Sequence, residues 1–273
     1  MIRHKGHIKK NVISSNRNRR IKKINHPALQ EVKNEVHSKN KAFLNKNRAK
    51  RPTIIESKRG AKGSTFDLSK VNFTKVKPIW KGETAFILGG GPSLSNFDFA
   101  KLKYKKTIII NKAVQFYPQG DILYWTDARV YQWYKKDIDN FKGEKYTIKP
   151  YNVSKDVKAL RNTGKSGLEY DPTGLRHGNN SGYAAINLAY HLGVKRIVLL
   201  GFDMGNEGKT GHFHDGYPVK VTQNKTYEFS MAPMFLSLVD PLKKKNVEII
   251  NANPQSKLTC FPRMSLDKAL NFS

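Results

Sequence analysis

The sequence predicts an α/β fold: a doubly wound, mostly parallel sheet with helices on both faces, preceded by a basic N-terminal extension. Three observations lead there. Short unbroken apolar runs alternate with helix-forming segments from Thr84 onward. Several of these runs end in glycine or asparagine, the residues that turn a chain out of a strand. Charge is also segregated: residues 1–77 hold 22 Lys and Arg against four acids (Glu31, Glu35, Glu56, Asp67), a net of +18, and residues 78–273 hold 28 against 17, a net of +11.

Residues 1–63 read as a flexible basic arm, with a helix near 27–44 and a hinge at 60–64. Basic clusters at 17–23 and 46–51 and few large apolar side chains leave this segment too little surface to bury against its ordering entropy. The one-signed excess points to a polyanion partner such as nucleic acid, a glycan or an anionic membrane surface, and equally fits a solvated tail. It holds no zinc-finger spacing and no RNA-binding aromatic motif, so binding through it would be largely sequence-independent.

Residues 64–273 read as one Rossmann-like nucleotide-binding domain. The runs at 84–88, 107–111 and 121–126 are continuous rather than alternating, as strands buried on both faces are. A helix is expected over 128–141. Between 180 and 192, Tyr183, Ile186, Leu188, Ala189 and Leu192 make a helical face that Gly193 ends. The run at 196–201 is a fourth strand. A helix over 225–245, interrupted by Pro233 and Pro241, leads to a last strand at 247–251 and a terminal helix at 265–270. Strands separated by helices imply parallel pairing, and such sheets bind ligands beyond the carboxyl ends of their strands.

The candidate site residues gather at those ends. Gly89, Gly90, Gly91, Pro92 and Ser93 follow the first strand, where glycines let backbone N–H groups approach a phosphate; a tight strand exit is the plainer reading. The pattern is neither G-x-G-x-x-G nor a Walker loop. Asn111 ends the second strand as a reader of base or ribose, or as a turn cap. Asp127 and Arg129 follow the third, as site residues or as an N-cap with a solvated arginine. Asn180, Ser181 and Gly182 open the long helix, where Ser181 serves as ligand contact or N-cap. Asp203 follows the fourth strand. His212 and His214, one residue apart, suit a general base better than a zinc site, because no further ligand set accompanies them.

Composition narrows the class. The single cysteine, Cys260, excludes a disulfide framework and fits a reducing, cytoplasmic setting. The chain contains no apolar run of transmembrane length, and its first residues carry no apolar leader.

Taken in order, the Gly-Gly-Gly-Pro-Ser-Leu exit, Asn111, the Asn-Ser-Gly helix start, the Ile-Val-Leu-Leu-Gly-Phe-Asp strand and a His-bearing loop resemble the small metal-independent bacterial sialyltransferases. More broadly they resemble the phage and bacterial relatives of those enzymes, a group that includes archaeal hydroxymethylpterin diphosphokinase-like proteins. The resemblance runs from about Thr84 to Leu270. It implies a glycosyltransferase with a nucleotide-sugar substrate and no metal or other cofactor. In it Gly89, Gly91, Pro92, Ser93 and Asn111 hold the nucleotide, Asn180, Ser181 and Gly182 lie by the donor, and His212 or His214 is the base. Asp203 joins the histidines as a candidate catalytic group. The chain departs from the pattern where His177-Gly178-Asn179 stands in place of a closely preceding arginine. It also has a shorter loop before the histidines, with Tyr217 and Tyr227 as candidates for a tyrosine pair beside the leaving phosphate. A diphosphokinase-like reading would instead use Mg²⁺-ATP, with Asp127 and Asp203 as the carboxylates. A third reading is a non-catalytic nucleic-acid-binding protein with a degenerate nucleotide fold.

If the arm engages about six phosphates of duplex DNA, log K against log salt will have a slope near −4 to −5. Deletion of residues 1–63 should remove most of that slope. Affinity retained at full strength after the deletion, or flat with salt, would place polyanion binding elsewhere.

Overall fold

The structure is a computed structural model that describes residues 66–205, 212–214, 217–218 and 224–272. These residues fall in one unit, Thr65–Ser273. The arm expected at 1–63, with its helix and hinge, lies outside the described residues.

The sheet is made of β1 (Thr84–Leu88), β2 (Lys106–Ile110), β3 (Ile122–Trp125), β4 (Glu144–Thr147), β5 (Val157–Ala159), β8 (Arg196–Leu200) and β9 (Glu248–Asn251). Its order is β5-β4-β3-β2-β1-β8-β9, and every pair is parallel. Between β5 and β8, two further strands, β6 (Arg161–Gly164) and β7 (Gly174–Arg176), pair with each other in a separate parallel ribbon. Helices α1 (Ala128–Trp133), α2 (Lys135–Asn140), α3 (Ser181–His191), α4 (Asn224–Thr226), α5 (Ala232–Lys244) and α6 (Leu266–Leu270) complete the described elements, with short 3₁₀ turns between.

The apolar runs form strands because a parallel sheet needs both faces covered, and the side chains alternate between two cores. Ala85, Ile87, Ile108, Tyr124, Ile197 and Leu199 join one core, to which α3 and α5 contribute Ile186, Leu188, Phe235 and Leu238. Phe86, Leu88, Ile109, Leu123, Val198 and Leu200 join the other, with Val130 of α1, Ile138 of α2 and Leu270 of α6. Helices therefore cover both faces, as a parallel α/β sheet requires.

The helix expected over 128–141 is broken into α1 and α2 at Tyr134, whose φ of −119° and ψ of 28° leave the helical range. Its ring is buried and packs edge-on against Trp133 and Tyr217, with centroids at 6.4 and 6.2 Å. The expected 225–245 helix begins as α4, passes through a π-helical turn over Tyr227–Met231 and continues as α5. Pro233 sits in the first turn of α5, directly after the π-helical turn, and Pro241 lies inside α5. The strands β4 to β7 had no sequence signal, being short and rich in polar residues.

The order of the strands reverses direction at β1. Successive strands β2 to β5 step away on one side, and β8 and β9 lie on the other. The crevice beyond the carboxyl ends of β1 and β8 is where a sheet of this kind opens to a ligand.

Candidate functional site

The exits of β1 and β8 are zipped together. Gly89 N–H donates to the Leu200 carbonyl at 2.8 Å and Gly91 N–H to the Gly201 carbonyl at 2.9 Å. The approach is close enough that a Cβ on Gly91 would collide with the Asp203 carboxylate and the Gly201 carbonyl. Gly201 itself has φ of +69°, a region that disfavours side chains. These glycines are thus required by the packing of one strand exit on the next. Gly90 differs: a Cβ there would face the imidazoles of His212 and His214, at 3.2 and 3.3 Å.

The Asp203 carboxylate closes the zip. It accepts the Ser93 N–H at 3.1 Å, the Ser93 hydroxyl at 2.8 Å and the Asn253 amide at 2.9 Å. One side chain thus ties together the loops after β1, β8 and β9. The expectation that the loop 89–93 offers a row of N–H groups to phosphate therefore narrows. Those of Gly89, Gly91 and Ser93 are spent inside the fold, Pro92 has none, and Gly90 is the position that remains.

Above this zip lies a cavity of about 330 Å³. Of the residues expected at a site, Gly89, Gly90, Gly91, Asn111, Asp127, Asn180, Ser181, Gly182, Asp203 and His212 line it. Pro92 and Ser93 do not; they form a 3₁₀ turn behind the loop, where Ser93 holds Asp203. His214 is also set back, buried and stacked on Phe116 with its ring 4.8 Å from that of His212.

The amino end of α3 enters the cavity between Asn111 and Asn180. Asn180 is its N-cap, with the side-chain oxygen accepting the Tyr183 N–H at 2.8 Å. Ser181 is recruited sideways: its hydroxyl accepts from Thr126 N–H at 3.2 Å and donates to Asn111 Oδ1 at 3.0 Å. This link holds Asn111 in a left-handed backbone conformation, φ +54°, at the end of β2. Ser181 and Gly182, in the first turn of an 11-residue helix, line the cavity, and their N–H groups have no carbonyl within the helix to bond at the positive end of its dipole.

Asp127 caps α1, and its carboxylate accepts two bonds from Arg129 Nε, at 3.1 and 3.0 Å. That guanidinium holds the Asp127 carboxyl below the usual carboxylate range. It also lies 5.1 Å from the Trp133 ring centroid. The N-cap reading of Asp127 and its place on the cavity wall both hold, and Arg129 is paired rather than merely solvated. Among the described residues lining the cavity, Arg129 carries the one Lys or Arg side chain.

Trp133, Tyr217, Tyr227 and Met231 form the outer wall. Tyr217 and Tyr227 were weak candidates from sequence; Trp133 and Met231 were not foreseen, since aromatic and thioether residues in helices usually read as core. Burial raises the Tyr217 phenol pKa, and its oxygen accepts from the Lys112 N–H and the Asn111 side chain. Burial lowers the pKa of His212, partly opposed by a hydrogen bond to the Gly90 carbonyl and reinforced by the Lys112 charge. Its ring is therefore neutral near pH 7.

Replacing Asp203 by Ala should cost about 3 kcal/mol, because three donors from two loops lose a charged acceptor. Urea unfolding should show the loss, and Asp203→Asn should show less of it.

His177, His191 and His212 all have pKa values lowered from 6.5, chiefly by burial. Between the lowered values and 6.5 the unfolded chain binds more protons, so stability rises with pH and is lost as pH falls through that window. The thermal midpoint should drop from pH 7 toward pH 5, above the range where carboxylates protonate. His191→Gln should flatten the slope; an unchanged profile would contradict the burial assignment.

No protein-family profile matches the chain, and neither the curated proteins nor the solved structures include one similar to it. What the cavity does is therefore read from its geometry.

Proposed function

We propose that the chain is a glycosyltransferase acting on a nucleotide-sugar, with the cavity at the carboxyl ends of β1 and β8 as the donor site. The observation that carries this reading is a convergence. Gly90, the first turn of α3 and His212, whose imidazole pKa is lowered by burial, line one cavity of about 330 Å³. That volume is of the size that accepts a small organic ligand.

The electrostatics suit an anionic ligand. Two carboxylates line the cavity, but Asp203 is turned to three donors and Asp127 to Arg129. The field left over is the positive end of the α3 dipole and the Arg129 edge, which favours a phosphate. The aromatic wall of Trp133, Tyr217 and Tyr227 offers surfaces for a base or sugar ring.

In the transfer, the bond from the sugar's anomeric carbon to the phosphate oxygen breaks as a bond to the acceptor hydroxyl oxygen forms. His212 takes the acceptor proton, and its hydrogen bond to the Gly90 carbonyl fixes the ring's orientation. Negative charge develops on the departing phosphate. It is met by the N–H groups of Gly90, Ser181 and Gly182 and by the Tyr217 phenol, which stays protonated because burial raises its pKa. His214 braces His212 from behind by ring stacking.

The experiment is a thermal-shift panel of nucleotides and nucleotide-sugars, with and without Mg²⁺, followed by turnover with the stabilising donor. Stabilisation should survive a chelator. His212→Ala should keep nucleotide binding within a fewfold and lower turnover by about 10²- to 10⁴-fold. Binding that vanishes with chelator would favour the Mg²⁺-ATP phosphoryl-transfer alternative, and no nucleotide binding at all would remove the transferase reading.

A further inference from the structure

We propose that the opposite edge of the sheet carries a docking groove for single-stranded nucleic acid, with Tyr104 as a base-stacking platform between Lys103 and Lys106. The surface belongs to the folded domain, and the inference stands apart from the reaction assigned to the cavity.

Because all seven strands are parallel, the segments that lead into them gather at one edge, away from the cavity. There, a groove of about 580 Å³ runs between the start of β2 and the turn before β3, bordered by Lys103, Tyr104, Lys105, Lys106, Gln119 and Asp121. Tyr104 is 90% exposed, so its ring contributes almost nothing to either core. Its backbone has φ of +69°, a conformation that costs a non-glycine residue about 1 kcal/mol or more. A large ring held in solvent by a strained backbone has no structural return within the domain.

The charge around the ring is positive. Lys103 and Lys106 are exposed and, among the described residues, form no ion pair; Lys103 Nζ lies 4.9 Å from the Tyr104 ring centroid. Lys105 is anchored to the Phe272 carbonyl at 3.2 Å and fixes the segment. The acid in the groove, Asp121, is exposed, and one of its carboxylate oxygens accepts the Thr107 N–H at 2.7 Å and the Thr107 hydroxyl at 2.9 Å. Along the same edge the exposed Lys81, Lys142 and Lys195 precede β1, β4 and β8. Glu144 and Glu248, which begin β4 and β9, are paired with Lys158 and Arg196 at 2.6 Å.

An exposed aromatic ring flanked by lysines that form no ion pair among the described residues matches how single strands are held without sequence readout: bases stack on rings while cations follow the phosphates. A membrane partner would call for large exposed aliphatic side chains beside the charge, and the aliphatic side chain bordering this groove is the single methyl of Ala100.

The test uses the full chain and a fluorescein-labelled oligothymidylate of about 20 nucleotides, read by anisotropy across a salt series. Tyr104→Ala should weaken binding by about five- to a hundredfold while leaving heparin binding unchanged. K103Q/K106Q should lower the salt slope by about 1.4, two single-strand phosphate contacts. Both variants are at exposed positions and should keep the wild-type thermal midpoint. Four outcomes would each overturn the proposal: no oligonucleotide binding by the wild-type chain, unchanged affinity in Tyr104→Ala, equal loss of heparin and oligonucleotide binding in that variant, or an unchanged salt slope in K103Q/K106Q. Loss of binding to phosphatidylserine vesicles, with oligonucleotide binding intact, would assign the surface to membranes instead.

Discussion

The geometry of the cavity depends on the Asp203 carboxylate. A buried or half-buried carboxylate is stable only when donors surround it, and here three donors from the loops after β1 and β9 do so. Those bonds, with the two backbone bonds from Gly89 and Gly91 to the end of β8, lock neighbouring strand exits into one rigid floor. The same residues that make the floor rigid are removed from ligand binding. What is left facing the cavity is a small set of groups, and each is oriented by a second contact: Asn111 by Ser181, His212 by Gly90, Arg129 by Asp127. On the proposed reading, a site built this way would change little in shape when a ligand enters, which would keep the reorganisation cost of binding and of transition-state stabilisation low.

The parallel sheet divides the domain into two chemically different ends. At the carboxyl ends, glycines, amides and a helix start surround a cavity whose two carboxylates, Asp127 and Asp203, are each held by donors. At the amino ends, lysines lead into several strands, and an exposed tyrosine stands among them. Parallel pairing enforces this division, because it sends every outgoing loop to one edge and every incoming segment to the other. On the proposed reading, one edge would hold a small anionic ligand by oriented dipoles, and the other a polymer by mobile point charges. The two modes differ in salt sensitivity, since exposed lysines are screened and a partly enclosed helix start is screened less.

Much of this domain was legible before folding was considered. Runs such as Ala85 to Leu88 and Ile197 to Leu200 are apolar at every position, and only a strand with two covered faces uses such a run efficiently. The clustering of Gly90, Asn111, Ser181 and His212 followed from placing each at the end or start of an element. The strands β4 to β7 were not legible, because they are short and carry polar side chains that find their partners only once the strands pair. Lys145 is buried in β4 with its ammonium on Asp156, and Tyr146 donates to Glu144 at 2.5 Å. The sequence offers Ser181 as the cap of α3, and the structure puts Asn180 there, one residue earlier, because both residue types serve at that position.

The sequence by itself determined the class of fold, the positions of its main strands along the chain and the edge at which small and amide residues collect. Those properties are local: they depend on the spacing of apolar residues and on the turn chemistry that follows each run. The tertiary structure decided what each collected residue does. It turned Asp203 into a clamp, moved Ser93 and His214 behind the wall, recruited Ser181 to hold Asn111, and brought Trp133 and Tyr217 to the rim. Each assignment depends on which donor meets which acceptor across elements far apart in the chain, and only the packed sheet fixes those pairings.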